Sequence, residues 1–328
     1  MEKKSVGRGA PSGNKSARAF TLIELLVCIV IVGLLLALLL PGVQMIRETS
    51  RKVHCRSNLK QIGIAIASYE SAHQMFPPGA SYGASMHVIL LPYLDLTALY
   101  EAYDFIKRDD SALRTVEIPL YRCPSDPAPP ALPQGVTADV ATNYAGNSGT
   151  GVLKYGYNGM FRHISPESPP RRDGPIRPAD VRDGMSNTAA VCEILHADGS
   201  SARLRVNWNT PVTFPEPDLL DDFAEYCAGI PPIPSDYGWQ GATRSRGVPW
   251  TFGDVTYTMY NHVLGPNQPS CYNGTDVQTA IASAGSAHNG GVNVLYADGH
   301  LEFVSSSTDL RLWRDIGSRV ESDLILSP

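Results

Sequence analysis

Residues 18–40 read RAFTLIELLVCIVIVGLLLALLL, an apolar run that contains a single acidic residue, Glu24. Within residues 20–40, Thr21 is the other notably polar residue. At about 1.5 Å per residue, a helix over this range is about 31 Å long, which matches a bilayer hydrocarbon core of about 30 Å. The run therefore predicts a transmembrane helix with a carboxylate near its beginning.

A basic leader precedes this run and sets its expected orientation. The charged residues of the leader are Glu2, Lys3, Lys4, Arg8, Lys15 and Arg18. Such an excess of Lys and Arg keeps the N-terminal side cytoplasmic, so the residues after the run should lie outside the inner membrane. Cations that follow the run oppose this orientation, and we expect the leader to dominate. They are Arg47, Arg51, Lys52, Arg56 and Lys60.

Two ordinary explanations of the run fit less well. A cleaved secretory signal has an apolar region of about 7–15 residues followed by an A-x-A-like site, and no such site follows Leu40. A plain signal anchor gives no reason for Glu24, because a carboxylate inside the membrane costs about 2.5–3.5 kcal/mol. The acid therefore indicates a function that involves a partner.

Residues 19–26, AFTLIELL, resemble the signature of type IV prepilins and type II secretion pseudopilins. The resemblance implies that a prepilin peptidase cleaves between Ala19 and Phe20 on the cytoplasmic side and methylates the new N-terminus at Phe20. It also implies that Glu24 acts in assembly, by pairing with the N-terminal amine of a neighbouring subunit. The sequence departs from the family pattern at Ala19, where the residue before the cut is usually Gly.

Composition describes the remainder as a globular, mildly acidic chain. Hydrophobic residues make up 43% of the protein and the formal net charge is −5, with no basic patch that would indicate a nucleic-acid partner. The 29 Gly and 26 Pro indicate many turns and long loops. After the apolar run, the chain is long enough for one large or two small domains.

The helix is expected to continue beyond the membrane to about residue 72. Apolar residues recur mostly at spacings of three and four, as on one face of an amphipathic helix, and the sequence FPPG at residues 76–79 ends the pattern. The stripe consists of Val43, Ile46, Ser50, Val53, Leu59, Ile62, Ile66 and Tyr69. The predicted organisation is a leader (1–19), a transmembrane helix (20–40), a helical extension (41–72) and an extracytoplasmic globular domain (73–328).

The globular part is expected to be rich in strands and loops. A helical piece broken near Pro92 is predicted over residues 86–106, and Pro-rich loops over 127–135 and 164–178. Asp298-Gly299 between alternating apolar runs is a strong β-hairpin signal. Candidate strands are 188–195, 203–208, 256–260, 292–296 and 300–304. The simplest fold is α+β and pilin-like, with the long N-terminal helix packed on an antiparallel sheet with long loops.

A second resemblance covers nearly the whole chain. The chain is similar to a large bacterial family of prepilin-like proteins with a signature of His, nine further residues and Asp-Gly, here His288, Asp298 and Gly299. Six motifs precede it in the family's order. They are CRSNLKQIG at 55–63, FPPG at 76–79, LPYL at 91–94, CPSD at 123–126, NYAGN at 143–147 and DGMSNT at 183–188. The molecular function of that family is not established, so the resemblance implies a class and no chemistry.

The six cysteines predict disulfides outside the cytoplasm. Cys28 lies in the apolar run without an obvious partner, and the other five are an odd number, so at least one is unpaired. We expect Cys55 to pair with Cys123 and Cys227 with Cys271. Cys192, in an apolar strand, is then a buried thiol. A zinc knuckle is not indicated, because no two of the five have C-x2-4-C spacing.

Candidate catalytic residues are His288, Asp298, Asp183 and Glu193. His288 and Asp298 could share a metal or a proton across the hairpin. The favoured interpretation is that Asp298-Gly299 forms the turn, His288 bonds a loop backbone, and Asp183 is a turn residue.

Other catalytic and metal motifs are not indicated. Ser125 beside Asp126 lacks a G-x-S-x-G context, and no H-E-x-x-H spacing is present. Related pseudopilins bind calcium in a C-terminal loop, and Asp276, Asp298 or Glu302 could do so here, although an EF-hand loop is absent from the sequence. We therefore expect no enzymatic activity and no cofactor, with calcium kept as an alternative.

Two functions remain open. The first is a structural subunit, processed by a prepilin peptidase, held in the inner membrane with a periplasmic or cell-surface domain, and assembled with like or related pilin-type subunits in a type II secretion or type IV pilus-like system. The alternative is a membrane-tethered extracytoplasmic binding module or hydrolase that uses the prepilin helix for export alone.

Overall fold

The computed structural model describes residues 21–134, 137–152, 158–164, 175–214, 220–231, 240–242 and 246–320. The predicted leader, with Ala19 and Phe20 at the predicted cleavage site, lies outside these residues, as does most of the predicted loop 164–178. The chain divides into two compact units between Thr49 and Ser50.

The first element is helix α1, Leu22–His73, which has 52 residues and confirms the predicted long N-terminal helix. The helix ends where Gln74 adopts a left-handed conformation (φ 58°), with its amide bonded to the carbonyl of Glu70. Pro77 and Pro78 follow, and proline cannot continue a helix.

Residues 21–49 of the first unit present apolar side chains outward along the helix. Leu22 is 82% exposed and Leu40 is 64% exposed. Among the described residues, α1 is the one helix that is long and apolar enough to cross a membrane. This segment has the length and composition expected for a hydrocarbon environment.

The second unit is an α+β domain, as predicted. Its further helices are α2 Met86–Leu90, α3 Thr97–Glu101, α4 Leu220–Ala228 and α5 Leu310–Gly317. Its strands are β1 Ala80–Ser81, β2 Ala84–Ser85, β3 Ala131–Gln134, β4 Thr137–Val140, β5 Tyr144–Asn147, β6 His163–Ile164, β7 Ala189–Glu193, β8 Asn207–Asn209, β9 Gln240–Ala242, β10 Met259–Tyr260, β11 Ser270–Asn273, β12 Asp276–Ile281, β13 Gly291–Tyr296 and β14 Leu301–Ser305.

The main sheet has five strands in the order β10-β5-β7-β13-β14. Its pairs are antiparallel except for β10 and β5, which are parallel. A second sheet, β12-β11-β8-β9, also contains one parallel pair, β11 with β8. The prediction of an antiparallel sheet was therefore wrong in this detail. Parallel neighbouring strands need a long crossover connection between them. The segment between β5 and β10, which has more than a hundred residues, provides this connection.

The predicted hairpin at Asp298-Gly299 is present, with Val292 opposite Val304 in the antiparallel pair β13–β14. The helical piece broken near Pro92 is also present, because a 3₁₀ turn over Leu91–Leu94 separates α2 from α3. Residues 203–205 form a turn instead of the predicted strand, with the Arg205 amide bonded to the Ala202 carbonyl.

Two further elements differ from the predictions. Most of the predicted strand 256–260 is a turn, because the Asp254 carbonyl accepts hydrogen bonds from three successive amides, and only Met259–Tyr260 pairs in a sheet. The Pro-rich run predicted as a loop contains β3, which forms a two-stranded antiparallel ribbon with β4.

The end of α1 is built into the core of the second unit. Leu59 and Ile62 are fully buried and Ile66 is 4% exposed, whereas Val53 is 61% exposed. The predicted stripe is therefore buried only in its second half. A Cβ added at Gly63 would lie 3.0 Å from Leu295 of β13, so the glycine allows the helix to approach the sheet closely.

Polar contacts also attach α1 to the β13–β14 hairpin. Lys52 Nζ lies 3.3 Å from the centroid of the Phe303 ring, a cation–π geometry. The Arg56 guanidinium donates to the Leu301 carbonyl at 3.3 Å. These contacts place residues 52–66 of α1 over β13 and β14.

Candidate functional site

Several of the sequence motifs described above lie close together where α1 packs against the main sheet. A disulfide joins Cys55 of α1 to Cys123, with Cα atoms 5.1 Å apart. Asn58 Nδ2 donates to the Arg122 carbonyl at 2.8 Å, and the Tyr144 hydroxyl donates to the Cys55 carbonyl at 3.3 Å. Motifs that are far apart in the sequence therefore form one structural cluster.

The other expected disulfide joins Cys227 of α4 to Cys271 of β11, with Cα atoms 6.0 Å apart. Cys192 is a buried free thiol that lies 3.4 Å from the Asn293 carbonyl. Burial raises the pKa of the Cys192 thiol well above its ordinary value, which makes it a poor nucleophile. Cys28 is free and exposed in the first unit.

His288 and Glu193 lie beside the first disulfide. His288 Nε2 is 3.3 Å from Glu193 Oε1 and 3.6 Å from Cys123 Sγ. Glu193 is 1% exposed and His288 is 3% exposed. The ligand atoms of Cys55, Cys123, Glu193 and His288 all lie within 4.8 Å of one another.

Asn293 on β13 holds the Glu193 carboxylate in place. Its amide N–H donates to Oε2 at 2.8 Å and its side-chain Nδ2 donates to Oε1 at 3.0 Å. Because β7 and β13 are paired strands, this arrangement is fixed by the sheet. The carboxylate is therefore oriented toward His288 before any ligand binds.

The spacing of the cysteines along the chain could not reveal this cluster. Its members come from α1, from the segment before β3, from β7 and from the segment before β13, so no short motif contains two of them. His288 and Glu193 are both candidate catalytic residues in the sequence, and the structure places His288 Nε2 close to the Glu193 carboxylate.

Asp298 lies at the other end of β13 and forms the hairpin turn. Its Oδ1 accepts from the His300 amide at 3.0 Å and is 2.6 Å from His300 Nδ1. Burial raises the pKa of the Asp298 carboxyl, but the hydrogen bonds from His300 outweigh it and hold the pKa below its usual value. Six residues of β13 at about 3.4 Å each separate Asp298 from His288, so the two do not share a metal or a proton.

The turn connects two further motifs. Gly299 has φ +87°, and its carbonyl accepts from Lys60 Nζ of α1 at 2.7 Å. The Asp298 amide donates to the Met185 carbonyl at 3.2 Å. Asp183 is in a turn, as expected, and its carbonyl accepts from Asn187 Nδ2 at 2.9 Å. The signature residues at 298–299 therefore act as a docking point for α1 and for the DGMSN loop.

The acids considered for calcium are separately engaged. Asp276 Oδ2 accepts from the Thr279 hydroxyl at 2.9 Å, and Glu302 Oε2 accepts from the Tyr296 hydroxyl at 3.1 Å. Over the described ranges, neither joins Asp298 in a group of three metal-ligating side chains.

Asp126 forms a buried ionic network beside Cys123. The Arg205 guanidinium donates to both of its oxygens, at 2.6 and 3.2 Å, and Asn143 Nδ2 donates at 2.6 Å. Burial raises the pKa of the Asp126 carboxyl, but the hydrogen bond from Arg205 and the charges nearby outweigh it and lower the pKa overall. Asp126 is thus a paired structural charge rather than a partner for Ser125.

His196 completes this network in its neutral form. Its Nδ1 lies 2.6 Å from the Ala197 carbonyl, to which it donates, and its Nε2 contacts the Arg122 guanidinium. Burial lowers the pKa of His196 to about 4, despite the opposing effect of Asp126. Cys123 therefore has two sets of polar side chains near it, the ionic network of Asp126 and the pair of His288 and Glu193.

In the first unit, Thr21 and Glu24 bond to each other at the beginning of α1. Glu24 Oε2 accepts from the Thr21 amide at 3.0 Å and from the Thr21 hydroxyl at 2.8 Å, and the Glu24 amide donates to that hydroxyl at 3.3 Å. This is a capping box, T-x-x-E, a signal in the sequence for the start of a helix. Glu24 thus has a local structural role besides any role in assembly.

Comparisons with known proteins identify two segments. Residues 44–311 match the family described as "Protein of unknown function (DUF1559)". Residues 14–40 match the "Prokaryotic N-terminal methylation motif". No curated protein and no solved structure matches the chain.

Proposed function

The chain belongs to the DUF1559 family and carries the prokaryotic N-terminal methylation motif, and from this premise we propose that it is a membrane-anchored subunit of a type II secretion or type IV pilus-like assembly. The motif itself implies processing by a prepilin peptidase and a single-pass membrane anchor. The assembly and the identity of the system are the parts that we propose.

One observation carries the proposal: the motif leads directly into α1, with Glu24 in its first turn and exposed. Thr21 supplies hydrogen bonds to Glu24 but no positive charge. A carboxylate in lipid costs about 2.5–3.5 kcal/mol, and a cationic partner offsets this cost. The methylated amine at Phe20 of a neighbouring subunit would be such a partner.

The orientation follows from the same segment. The basic leader favours a cytoplasmic N-terminus, which puts the second unit in the periplasm or at the cell surface. Two disulfides in that unit support an oxidising compartment.

The test separates charge from helix capping at Glu24. Glu24→Gln retains a capping-box acceptor but removes the charge, whereas Thr21→Ala removes the cap and keeps the charge. We expect Glu24→Gln to be cleaved and methylated normally, as read by intact mass, and to lose cross-linking between subunits in membranes. Thr21→Ala should retain cross-linking.

The processing half of the proposal has its own variant. Ala19→Trp places a bulky residue before the cleaved bond, and we expect the leader to remain attached. Normal cross-linking of Glu24→Gln would contradict the assembly role, and normal cleavage of Ala19→Trp would contradict the position of the cut.

We propose no enzymatic activity for the second unit. The acid–base pair that could support one, His288 and Glu193, is buried and faces a disulfide instead of an open cleft. Both side chains are buried, so a polymer substrate has no direct access to them. Within the part of the chain that the structure describes, this pair therefore gives no support to the alternative of a membrane-tethered hydrolase.

A further inference from the structure

We propose that Cys55, Cys123, Glu193 and His288 form a Zn²⁺ site when the Cys55–Cys123 disulfide is reduced. The same place in the fold then holds either a covalent cross-link or a metal ion, depending on the thiol–disulfide state of the chain. This inference goes beyond the proposed function and does not depend on processing or assembly.

Two of the six distances between the ligand atoms already suit a tetrahedral ion. With Zn–S bonds of about 2.3 Å and Zn–N and Zn–O bonds of about 2.0–2.2 Å, neighbouring ligand atoms lie about 3.3–3.8 Å apart. His288 Nε2 is 3.3 Å from Glu193 Oε1 and 3.6 Å from Cys123 Sγ. The two bonded sulfurs must separate to about 3.8 Å, and the remaining pairs of ligand atoms already lie within 4.8 Å of one another.

The donor set selects the metal. Two thiolates, one imidazole and one carboxylate are ligands that Zn²⁺ accepts, whereas Ca²⁺ and Mg²⁺ require oxygen ligands. All four residues are buried, with Cys55 at 0% and Cys123 at 4% exposure. Four protein ligands in a closed, buried position are typical of a structural zinc site.

The surrounding shell holds the ligands in place without the disulfide. Asn293 bonds both oxygens of Glu193, and the Cys123 amide donates to Asn143 Oδ1 at 3.0 Å. Cys55 lies on α1, which Leu59 and its apolar neighbours bury in the core. Such outer contacts orient metal ligands and raise affinity.

The other disulfide lacks these features and provides a matched control. Cys227 and Cys271 lie in an apolar cluster with Val206, Trp208 and Phe223. Over the described residues, no His, Asp or Glu completes a metal-ligating group with them.

The redox step balances with an ordinary thiol reductant. Two thiols supply two electrons and two protons, become a disulfide themselves, and convert Cys55 and Cys123 to thiols. Zn²⁺ then displaces both thiol protons as it binds. Transfer of a disulfide from an oxidised partner reverses the sequence and releases the ion.

The test uses the full chain in detergent, prepared in oxidised and thiol-reduced forms, with ZnCl2 or CoCl2 as the probe. We expect one metal ion per reduced chain by elemental analysis, none per oxidised chain, and thiolate-to-Co²⁺ charge-transfer absorption in the reduced form. Cys227→Ala/Cys271→Ala should retain this stoichiometry, which excludes binding by those thiols.

Ligand variants provide the specific check in the Cys227→Ala/Cys271→Ala background. His288→Ala should weaken binding at least about 100-fold, and Asn293→Ala, which alters the outer shell, about 10–100-fold. Circular dichroism establishes that each variant is folded. Absence of stoichiometric metal in the folded reduced chain, or unchanged affinity in His288→Ala, would overturn the proposal and leave the processing and assembly tests unaffected.

Discussion

The two disulfides of this chain close loops of similar length in very different surroundings. The sequence separations are 68 residues for Cys55–Cys123 and 44 for Cys227–Cys271. In the chain-entropy model these loops stabilise the folded state by about 4.4 and about 4.0 kcal/mol, nearly the same amount. The first bond lies against His288 and Glu193, whereas the second lies in an apolar cluster. Among the described residues, the second bond therefore acts as a structural cross-link, whereas the first also lies beside two side chains that can bind a metal ion.

The largest expected effect comes from removing each bond in turn. Cys55→Ala/Cys123→Ala and Cys227→Ala/Cys271→Ala should each lower the free energy of unfolding by about 4 kcal/mol, because both restore similar loop entropy to the unfolded chain. Denaturant unfolding of the full chain in detergent, followed by tryptophan fluorescence, measures both. A difference above about 2 kcal/mol would break the equivalence and show that local contacts outweigh loop closure.

The next effect concerns two His–carboxylate pairs that flank the same strand. His288→Ala leaves the buried Glu193 without its imidazole, and hydrogen bonds to buried charges are worth up to about 3 kcal/mol. His300→Ala removes a pair in which the side chain is 44% exposed, and such pairs contribute about 0–1 kcal/mol. Equal losses of unfolding free energy in the two variants would contradict the contrast between the buried and the exposed pair.

Acid should destabilise the polar neighbourhood of the first disulfide through His196. His196 has its pKa lowered by burial to about 4 from an ordinary 6.5, so between these values the unfolded chain binds a proton that the folded chain does not. Stability is therefore lost as the pH falls from 6.5, by about 2 kcal/mol at pH 5 at 1.36 kcal/mol per pH unit. The depressed pKa of Asp126 adds a loss below its ordinary 3.8.

Amide hydrogen exchange at pH 7 and pH 5 measures this effect. After correction for the slower intrinsic exchange of amides at pH 5, peptides around Cys123 should lose protection at pH 5. His196→Gln, which does not titrate, is the matched control and should reduce this loss around Cys123. An unchanged loss in His196→Gln would contradict the role of His196.

The smallest effect is at the hairpin turn that contacts α1. Gly299 has φ +87°, where a side chain costs about 1 kcal/mol or more. Gly299→Ala should lower the free energy of unfolding by about 1 kcal/mol, and Gly299→Asn by less, because Asn tolerates left-handed conformations. Denaturant unfolding compares the two. An Asn variant less stable than the Ala variant would contradict the conformational explanation.

Local patterns in the sequence predicted local structure well. The apolar run and its continuation predicted α1, and Asp298-Gly299 predicted the β13–β14 hairpin, because each signal lies within one element. The parallel pairing of β10 with β5 depends on a distant segment, which no local pattern encodes.

The candidate site was harder to predict for the same reason. The sequence offers both Glu193 and His288 as candidate catalytic residues, but its signature connects His288 with Asp298 and not with Glu193. Their proximity to the disulfide follows from the pairing of β7 with β13 and from the packing of α1, which are long-range events. The capping box of Thr21 and Glu24, by contrast, was present in the sequence as T-x-x-E.

The bond between Cys55 and Cys123 also has a mechanical meaning. In an assembly whose subunits hold one another through their N-terminal helices, tension on the second unit enters through the end of α1. Packed side chains yield to such a load by sliding, whereas a covalent link at Cys55 does not. The first turns of α1 inside the domain are therefore covalently attached to it. Under tension, a subunit would have to break this chemical bond before its helix could separate from the sheet.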